Sequence, residues 1–205
     1  MARPLKIISI DGTKGSGKTS QIGMLARLFK DNSIPCLVVQ AGRDIATGQV
    51  SIQKIRTFVS ENPNGVAILD GSIARMMVAD LMIGKAKEKV IDEYKYLTHD
   101  YERLDHEFGI ASFLMIMDDL KEGERRLVKR KALLGIEAEE YDPGYEADIV
   151  NGMRFFNNHV ASKNMTFRII DIENEDTMMQ IHKKIMDSLS NNYELPELKK
   201  DKNDW

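Results

Sequence analysis

The chain has 205 residues, and its 42% hydrophobic and 30% charged residues are typical of an ordinary soluble globular protein with one sizeable core. A formal net charge of −3 gives no broad attraction to nucleic acid or to acidic membranes. Nucleic acid is therefore not expected as a partner, although a local basic groove would leave it open as a substrate.

The N-terminal residues, the length of the apolar runs and the single cysteine indicate a cytoplasmic protein without a membrane partner. Residues 1–5 lack the apolar core of a signal peptide, and no apolar run approaches membrane-spanning length. The single cysteine, Cys36, lies in an apolar run and is typical of a buried thiol in a reducing compartment.

The first strand-like run, residues 5–10, leads into a glycine-rich loop. Residues 12–19 read Gly-Thr-Lys-Gly-Ser-Gly-Lys-Thr and fit the phosphate-loop pattern G-x-x-x-x-G-K-[ST] at every fixed position. Glycines let the backbone curl so that its N–H groups point at phosphate oxygens, the lysine reaches the β- and γ-phosphates, and the threonine hydroxyl ligates Mg²⁺. We assign ATP binding to Gly12, Thr13, Lys14, Gly15, Ser16, Gly17, Lys18 and Thr19, with Lys18 also catalytic and Thr19 also a metal ligand.

The residues after the loop support this assignment. Apolar residues at three- and four-residue spacing from Ile22 to Phe29 predict a helix. Strand, loop and helix therefore follow in the order that would place a helix N-terminus against the bound anion. The alternative is a flexible Gly/Ser turn.

Four further apolar runs have the length of buried strands: Cys36–Gln40, Val66–Asp70, 112–117 and 167–172. Helical patterns separate the five runs, which favours β-α-β crossovers. We expect an α/β fold in which a five-stranded parallel sheet carries helices on both faces.

Three apolar stripes predict helices whose aromatic and methionine side chains pack in the core. The stripes are Ile91, Tyr94, Leu97, Tyr101, Leu104 and Phe108; Ile149, Met153, Phe156 and Val160; and Met178, Ile181, Ile185 and Leu189.

Three segments do not fit the core pattern. Residues 41–64 connect two strands through a helix predicted at 50–60, and residues 133–144 are acidic and interrupted by Gly and Pro. Residues 191–205 are polar and without periodicity, and we expect them to fray. We predict a single domain over residues 1–190 and a polar tail over 191–205.

A phosphate loop occurs in several classes of protein, and two of them do not fit. Regulatory GTPases carry Asn-Lys-x-Asp and D-x-x-G motifs, which are absent in suitable places. Partitioning-type ATPases carry an extra lysine five residues before the loop lysine, where this chain has Thr13. Small phosphoryl-transfer enzymes remain, and the chain length suits them.

Several segments follow one another in the same order as the corresponding segments of a known protein family. They are Ile10-Asp-Gly with Gly17-Lys-Thr-Ser-Gln, the helix from Ser51, the strand Ala67-Ile-Leu-Asp70-Gly, the basic helix Glu124-Arg-Arg-Leu-Val-Lys-Arg130, and Ile170-Asp-Ile with an amphipathic helix. In this order they resemble the nucleoside-monophosphate kinases, and thymidylate kinases most. The resemblance implies a P-loop kinase fold with a small lid at about 129–145, Mg²⁺ and ATP as cofactors, and a small-molecule nucleotide acceptor.

The chain departs from thymidylate kinases on the acceptor side. That family usually carries a carboxylate, which holds the acceptor's 3′-hydroxyl, where this chain has Lys14. Gly71 replaces the arginine after Asp70, Asp142-Pro-Gly replaces the Asp-Arg of the lid, and residues 41–64 are too short for the base-reading helix. Thymine specificity therefore does not carry over.

Five further residues are candidates for the site. Asp70 could orient a metal-bound water or the acceptor, so it is a candidate catalytic residue and metal ligand; the alternative is a helix cap. Arg126 and Arg130, one helical turn apart, are candidate catalytic lid arginines, or else part of a solvated basic face. Arg43 and Arg75 are candidate ligands of the acceptor's phosphate, or else ordinary surface arginines.

Three functions stay open at this point. The first is Mg·ATP-dependent phosphorylation of a deoxynucleoside monophosphate or a modified relative. The second changes the acceptor to a nucleoside or to a hydroxyl of a modified base, which could lie in DNA. The third is an ATP-binding regulatory switch. A homodimer is a possible assembly.

Overall fold

A computed structural model of the protein describes residues 3–135, 141–159, 167–196 and 198. Its main sheet contains β2 (Ile7–Gly12), β3 (Cys36–Gln40), β4 (Val66–Asp70), β5 (Ile110–Ile116) and β6 (Arg168–Asp171). The spatial order is β3-β4-β2-β5-β6 and every pairing is parallel. The predicted α/β class and five-stranded parallel sheet are confirmed.

Eight helices lie in the described part of the chain. They are α1 (Lys18–Asp31), α2 (Ile45–Glu61), α3 (Ile73–Met82), α4 (Lys87–Glu93), α5 (Lys95–Phe108), α6 (Leu120–Leu134), α7 (Pro143–His159) and α8 (Met178–Asn192). One buried cluster joins α1 and α8 to one face of the sheet, and a second joins α2, α3, α4, α5 and α7 to the other. The sheet is therefore covered on both sides, as predicted. None of these helices is long and apolar enough to cross a membrane.

The strand order fixes where a ligand can bind. The chain leaves β2 towards β3 on one side and leaves β5 towards β6 on the other, so the direction of the connections reverses between β2 and β5. Open α/β sheets bind ligands in the crevice at the carboxyl ends of two such strands. The loop that follows β2 lies at this point.

One predicted helix is divided in two. The stripe from Ile91 to Phe108 spans α4 and α5, which meet at Tyr94, where the backbone (φ −94°, ψ 4°) departs from helical values. The break turns α4 so that Val90 is buried and Ile91 is 42% exposed. The other core positions of that stripe lie as expected, whereas Val160 of the next stripe is outside the described residues.

The start of the predicted tail has regular structure. Helix α8 ends at Asn192, and β7 (Tyr193–Glu194) pairs in parallel with β1 (Arg3–Pro4). Leu195 and Leu198 pack against the cluster formed with α1 and α8. The structure thus differs here from the expected fraying, and residues 199–205 are outside its described part.

Candidate functional site

A cavity of about 870 Å³ lies at the carboxyl end of β2. Its described lining holds six lysines and arginines and no acidic residue, so it suits an anionic ligand. The lining residues are Gly12, Thr13, Lys14, Gly15, Gly17, Lys18, Thr19, Ser20, Arg75, Arg126, Leu127, Lys129, Arg130, Leu133 and Met178.

The loop between β2 and α1, residues 12–17, is called the glycine loop below, and its shape depends on its glycines. Gly15 and Gly17 have φ of +81° and +87°, a left-handed conformation that residues with a Cβ rarely adopt. A Cβ on Gly12 would lie 2.4 Å from the Met115 carbonyl oxygen, and one on Gly15 would lie 2.4 Å from the Gly123 carbonyl oxygen. The loop is therefore packed tightly between the end of β5 and helix α6.

The glycine loop leads into a helix end that no side chain in the described part of the chain caps. Gly17 occupies the N-cap position of α1 and provides no side-chain acceptor, and no acidic residue lies in the first turn. The amides of that turn and the positive end of the helix dipole are thus left for another acceptor. Such an end favours an anion, phosphate above all.

The residues predicted for catalysis and metal binding lie together beside this helix end. Lys18 Nζ is 3.4 Å from Asp70 Oδ1, and about a quarter of each side chain is exposed. Thr19 is exposed on the cavity wall. Ser72, not Asp70, caps the next helix, since its Oγ accepts the Arg75 amide at 3.2 Å. The helix-cap alternative for Asp70 is thereby removed.

Arg75 is held against the glycine loop by a buried carboxylate. Asp11 is fully buried and accepts hydrogen bonds from the Gly12 amide (2.7 Å), Ser72 Oγ (2.7 Å) and Arg75 Nη1 (2.9 Å). Arg75 Nη1 also donates to the Gly12 carbonyl at 3.1 Å. Burial by itself lowers the pKa of the Arg75 guanidinium, but Asp11 and then Glu146 raise it, and the net pKa is above its ordinary value. Arg75 therefore presents a fixed positive charge to the cavity.

Helix α7 brings a second buried carboxylate to the glycine loop. Glu146 is 0% exposed, and its Oε2 accepts the Lys14 amide at 3.0 Å. Its Oε1 is buried and accepts no hydrogen bond in the described structure.

Helix α6 contributes the two candidate lid arginines, and their surroundings differ. Arg126 Nε donates to Glu122 at 2.8 Å, and Nη2 donates to three carbonyls of the turn 173–176 at 3.0–3.3 Å. Hydrogen bonds from Arg125 and Arg126 lower the pKa of Glu122 to about 2. Arg130 is exposed on the wall of the same cavity.

Two predicted features lie apart from the cavity or outside the described residues. Arg43 is exposed and is absent from the described cavity lining; its amide donates to Thr47 Oγ1 at 3.0 Å, just before α2 begins. The lid expected at 129–145 includes the end of α6 and the start of α7, but its residues 136–140 are outside the described part of the chain.

Asp11 and Glu146 were not among the residues selected from the sequence. Asp11 carried a signal, because it is the one charged residue in a buried strand that ends at the loop. Glu146 carried none, since its contact with Lys14 joins residues 132 positions apart. No group of three or more His, Cys, Asp or Glu in the described residues could hold a metal ion.

Comparison with known proteins adds no relative: no family model matches the chain, and no curated protein does.

Proposed function

We propose that the protein is a Mg·ATP-dependent phosphotransferase with a P-loop kinase fold. One observation carries the proposal. The glycine loop, an uncapped helix N-terminus, Lys18 and the arginines of α6 line a single cavity whose described lining has no acidic residue. Triphosphate binding uses loop amides together with a lysine, and phosphoryl transfer needs cations around the moving charge.

The residues present fit Mg·ATP. Lys18 would hold the β- and γ-phosphates, and Thr19 would ligate Mg²⁺, whose bound waters Asp70 could orient at the end of β4. The magnesium ion, when bound, neutralises charge on the phosphates. Leu127, Leu133 and Met178 give the cavity an apolar wall that suits the adenine ring.

Two acceptor classes agree with the site. The first is a deoxynucleoside monophosphate or a modified relative, whose phosphate the Arg75 guanidinium would bind. The second is a hydroxyl of a nucleoside or of a modified base, and the unfilled oxygen of Glu146 favours it. A regulatory ATP-binding switch is less well supported, because arginines on the far wall of the cavity suit a transferred phosphoryl group better than a tightly held nucleotide. A cytoplasmic location is part of this proposal.

A labelled-transfer assay tests the proposal. The protein is incubated with ATP labelled at the γ-phosphate, Mg²⁺, and separate panels of nucleosides, mononucleotides and oligonucleotides with common or modified bases. We expect label on one acceptor class, and none when Mg²⁺ is chelated. Specific label on no acceptor, together with the absence of ATP binding, would contradict the proposal.

A further inference from the structure

Among the buried carboxylates that the structure describes beside the glycine loop, only Glu146 has an oxygen without a hydrogen-bond partner. Asp11 receives three hydrogen bonds, from Gly12, Ser72 and Arg75. Glu146 receives one, from the Lys14 amide, and its Oε1 is buried without a partner in the described structure. Buried polar atoms of folded proteins are nearly always paired, and the exceptions concentrate at functional sites.

The charges around Glu146 indicate what kind of group would fill Oε1. Arg75 is hydrogen-bonded to Asp11, and the charge of Glu146 also raises the pKa of its guanidinium. A phosphate oxygen of the ligand would be repelled by Oε1, whereas a hydroxyl can donate a hydrogen bond to it. Glu146 is not itself among the described lining residues, but its Oε2 accepts the amide of Lys14, which lines the cavity.

The two acceptor classes differ in their need for such a carboxylate. A phosphate monoester is largely a dianion at neutral pH and needs no base to attack ATP. A hydroxyl must lose its proton during the transfer, and a positioned carboxylate can accept that proton.

We infer that the acceptor is a hydroxyl and that Glu146 is the catalytic base that takes its proton; this inference rests on the proposed function. The hydroxyl oxygen forms a bond to the γ-phosphorus, and the bond from that phosphorus to the bridging oxygen of ADP breaks. The hydroxyl proton passes to Glu146 Oε1, and ADP leaves with the electron pair. Because Glu146 is fully buried, the hydroxyl reaches Oε1 only when the side chains that cover this carboxylate move.

Glu146→Gln separates this role from a structural one. Glutamine retains a carbonyl oxygen for the Lys14 amide but removes the base. We expect kcat to fall about a hundredfold or more, with the ATP KM changed less than threefold. Asp148→Asn, which changes an exposed acid on the same helix, should behave like the wild type.

The position of the label in the wild-type product gives a second readout that needs no variant. Label in a new phosphoester on a hydroxyl supports the inference. Label in a phosphoanhydride on a mononucleotide would overturn it while leaving the proposed function intact. If no acceptor is labelled, the inference is tested by the rate of ATP hydrolysis, because water then takes the place of the hydroxyl acceptor. A Glu146→Gln protein that hydrolyses ATP at the wild-type rate would also overturn the inference. Failure of the wild type to bind ATP would remove the proposed function itself.

Discussion

At the scale of single residues, the glycine loop carries a second lysine whose charge faces the cavity. Lys14 lines the cavity, and its backbone amide donates to Glu146 Oε2, a contact that does not use the side chain. Lys14→Asp should therefore reverse a charge beside the phosphates without moving the loop.

We expect Lys14→Asp to raise the ATP KM at least about tenfold at low salt, which corresponds to roughly 1.4 kcal/mol. The defect should shrink in 0.5 M KCl, because salt screens a partly exposed charge. Steady-state kinetics at two salt concentrations measure both effects. Lys54→Asp, an exposed change on α2 away from the cavity, is the control. Equal ATP KM values for the two variants would show that Lys14 does not face the phosphates.

The residue scale also shows what the sequence could and could not predict about the site. The pattern of residues 12–19 identifies the loop, because its glycines meet local requirements of the backbone conformation, and their spacing alone reveals those requirements. Glu146 cannot be identified from the spacing of residues in the sequence, since its position beside Lys14 results from the packing of α7 on the rest of the fold. Arg43 and Arg75 carried equal weight in the sequence, and the structure places only Arg75 in the cavity wall.

At the scale of elements, the glycine loop and α6 are packed backbone to backbone. Gly15 has φ of +81°, and a Cβ there would meet the Gly123 carbonyl at 2.4 Å. Both the conformation and the contact therefore forbid a side chain.

Gly15→Ala should push α6 away from the loop. We expect at least a tenfold loss of ATP affinity together with a lower melting temperature. Gly23→Ala, in the adjoining helix α1 where an added Cβ meets open space, should retain wild-type affinity and be at least as stable as the wild type, because alanine is a better helix former than glycine. Calorimetric titration with ATP and a thermal melt measure both quantities. Wild-type ATP affinity in Gly15→Ala would rule out this tight packing at the site.

The two arginines of α6 should have different effects because they have different partners. Arg126 ties α6 to the turn 173–176 and pairs with Glu122 of the same helix, whereas Arg130 is exposed on the cavity wall. We expect Arg126→Ala to lower the melting temperature as well as kcat, and Arg130→Ala to lower kcat with little change in ATP KM or stability. Kinetics and melts of both variants would show this contrast, and wild-type kinetics in both would leave the basic stretch as a solvated face only.

At the scale of the whole molecule, the two helices of one layer, α1 and α8, are joined beside the site through a buried histidine. His182 Nδ1 is 3.0 Å from Gln21 Oε1, and Gln21 Nε2 donates to the Met178 carbonyl at 2.8 Å. Met178 in turn lines the cavity beside Gly17. Burial lowers the pKa of His182 below its ordinary value of 6.5.

This burial makes stability depend on pH. Below about pH 6.5 the unfolded chain takes up a proton at His182 that the folded protein does not, so the free energy of unfolding decreases as the pH falls. The decrease ends once His182 is protonated in the folded state too. We expect His182→Asn, which keeps a donor towards Gln21, to lose part of this slope between pH 7.5 and 5.5. Denaturant unfolding at several pH values tests this, and identical slopes for the two proteins would contradict it.

The overall architecture was the most predictable level. Each of the five apolar runs became a strand within two residues of its predicted limits, because buried parallel strands need continuous apolar sequence. The break at Tyr94 was not predictable, since a single apolar stripe fits one helix or two. The pairing of β7 with β1 was also missed, because two-residue strands leave no periodicity to detect.

The central claim is that Lys18 and the glycine loop perform phosphoryl transfer from ATP. It is tested most directly by Mg²⁺-dependent turnover of γ-labelled ATP in wild type, Lys18→Ala and Lys30→Ala, where Lys30 is an exposed lysine at the far end of the same helix. With circular dichroism unchanged in both variants, we predict that Lys18→Ala loses at least about a hundredfold in turnover while Lys30→Ala retains it. Near-normal turnover in a folded Lys18→Ala protein would contradict the claim.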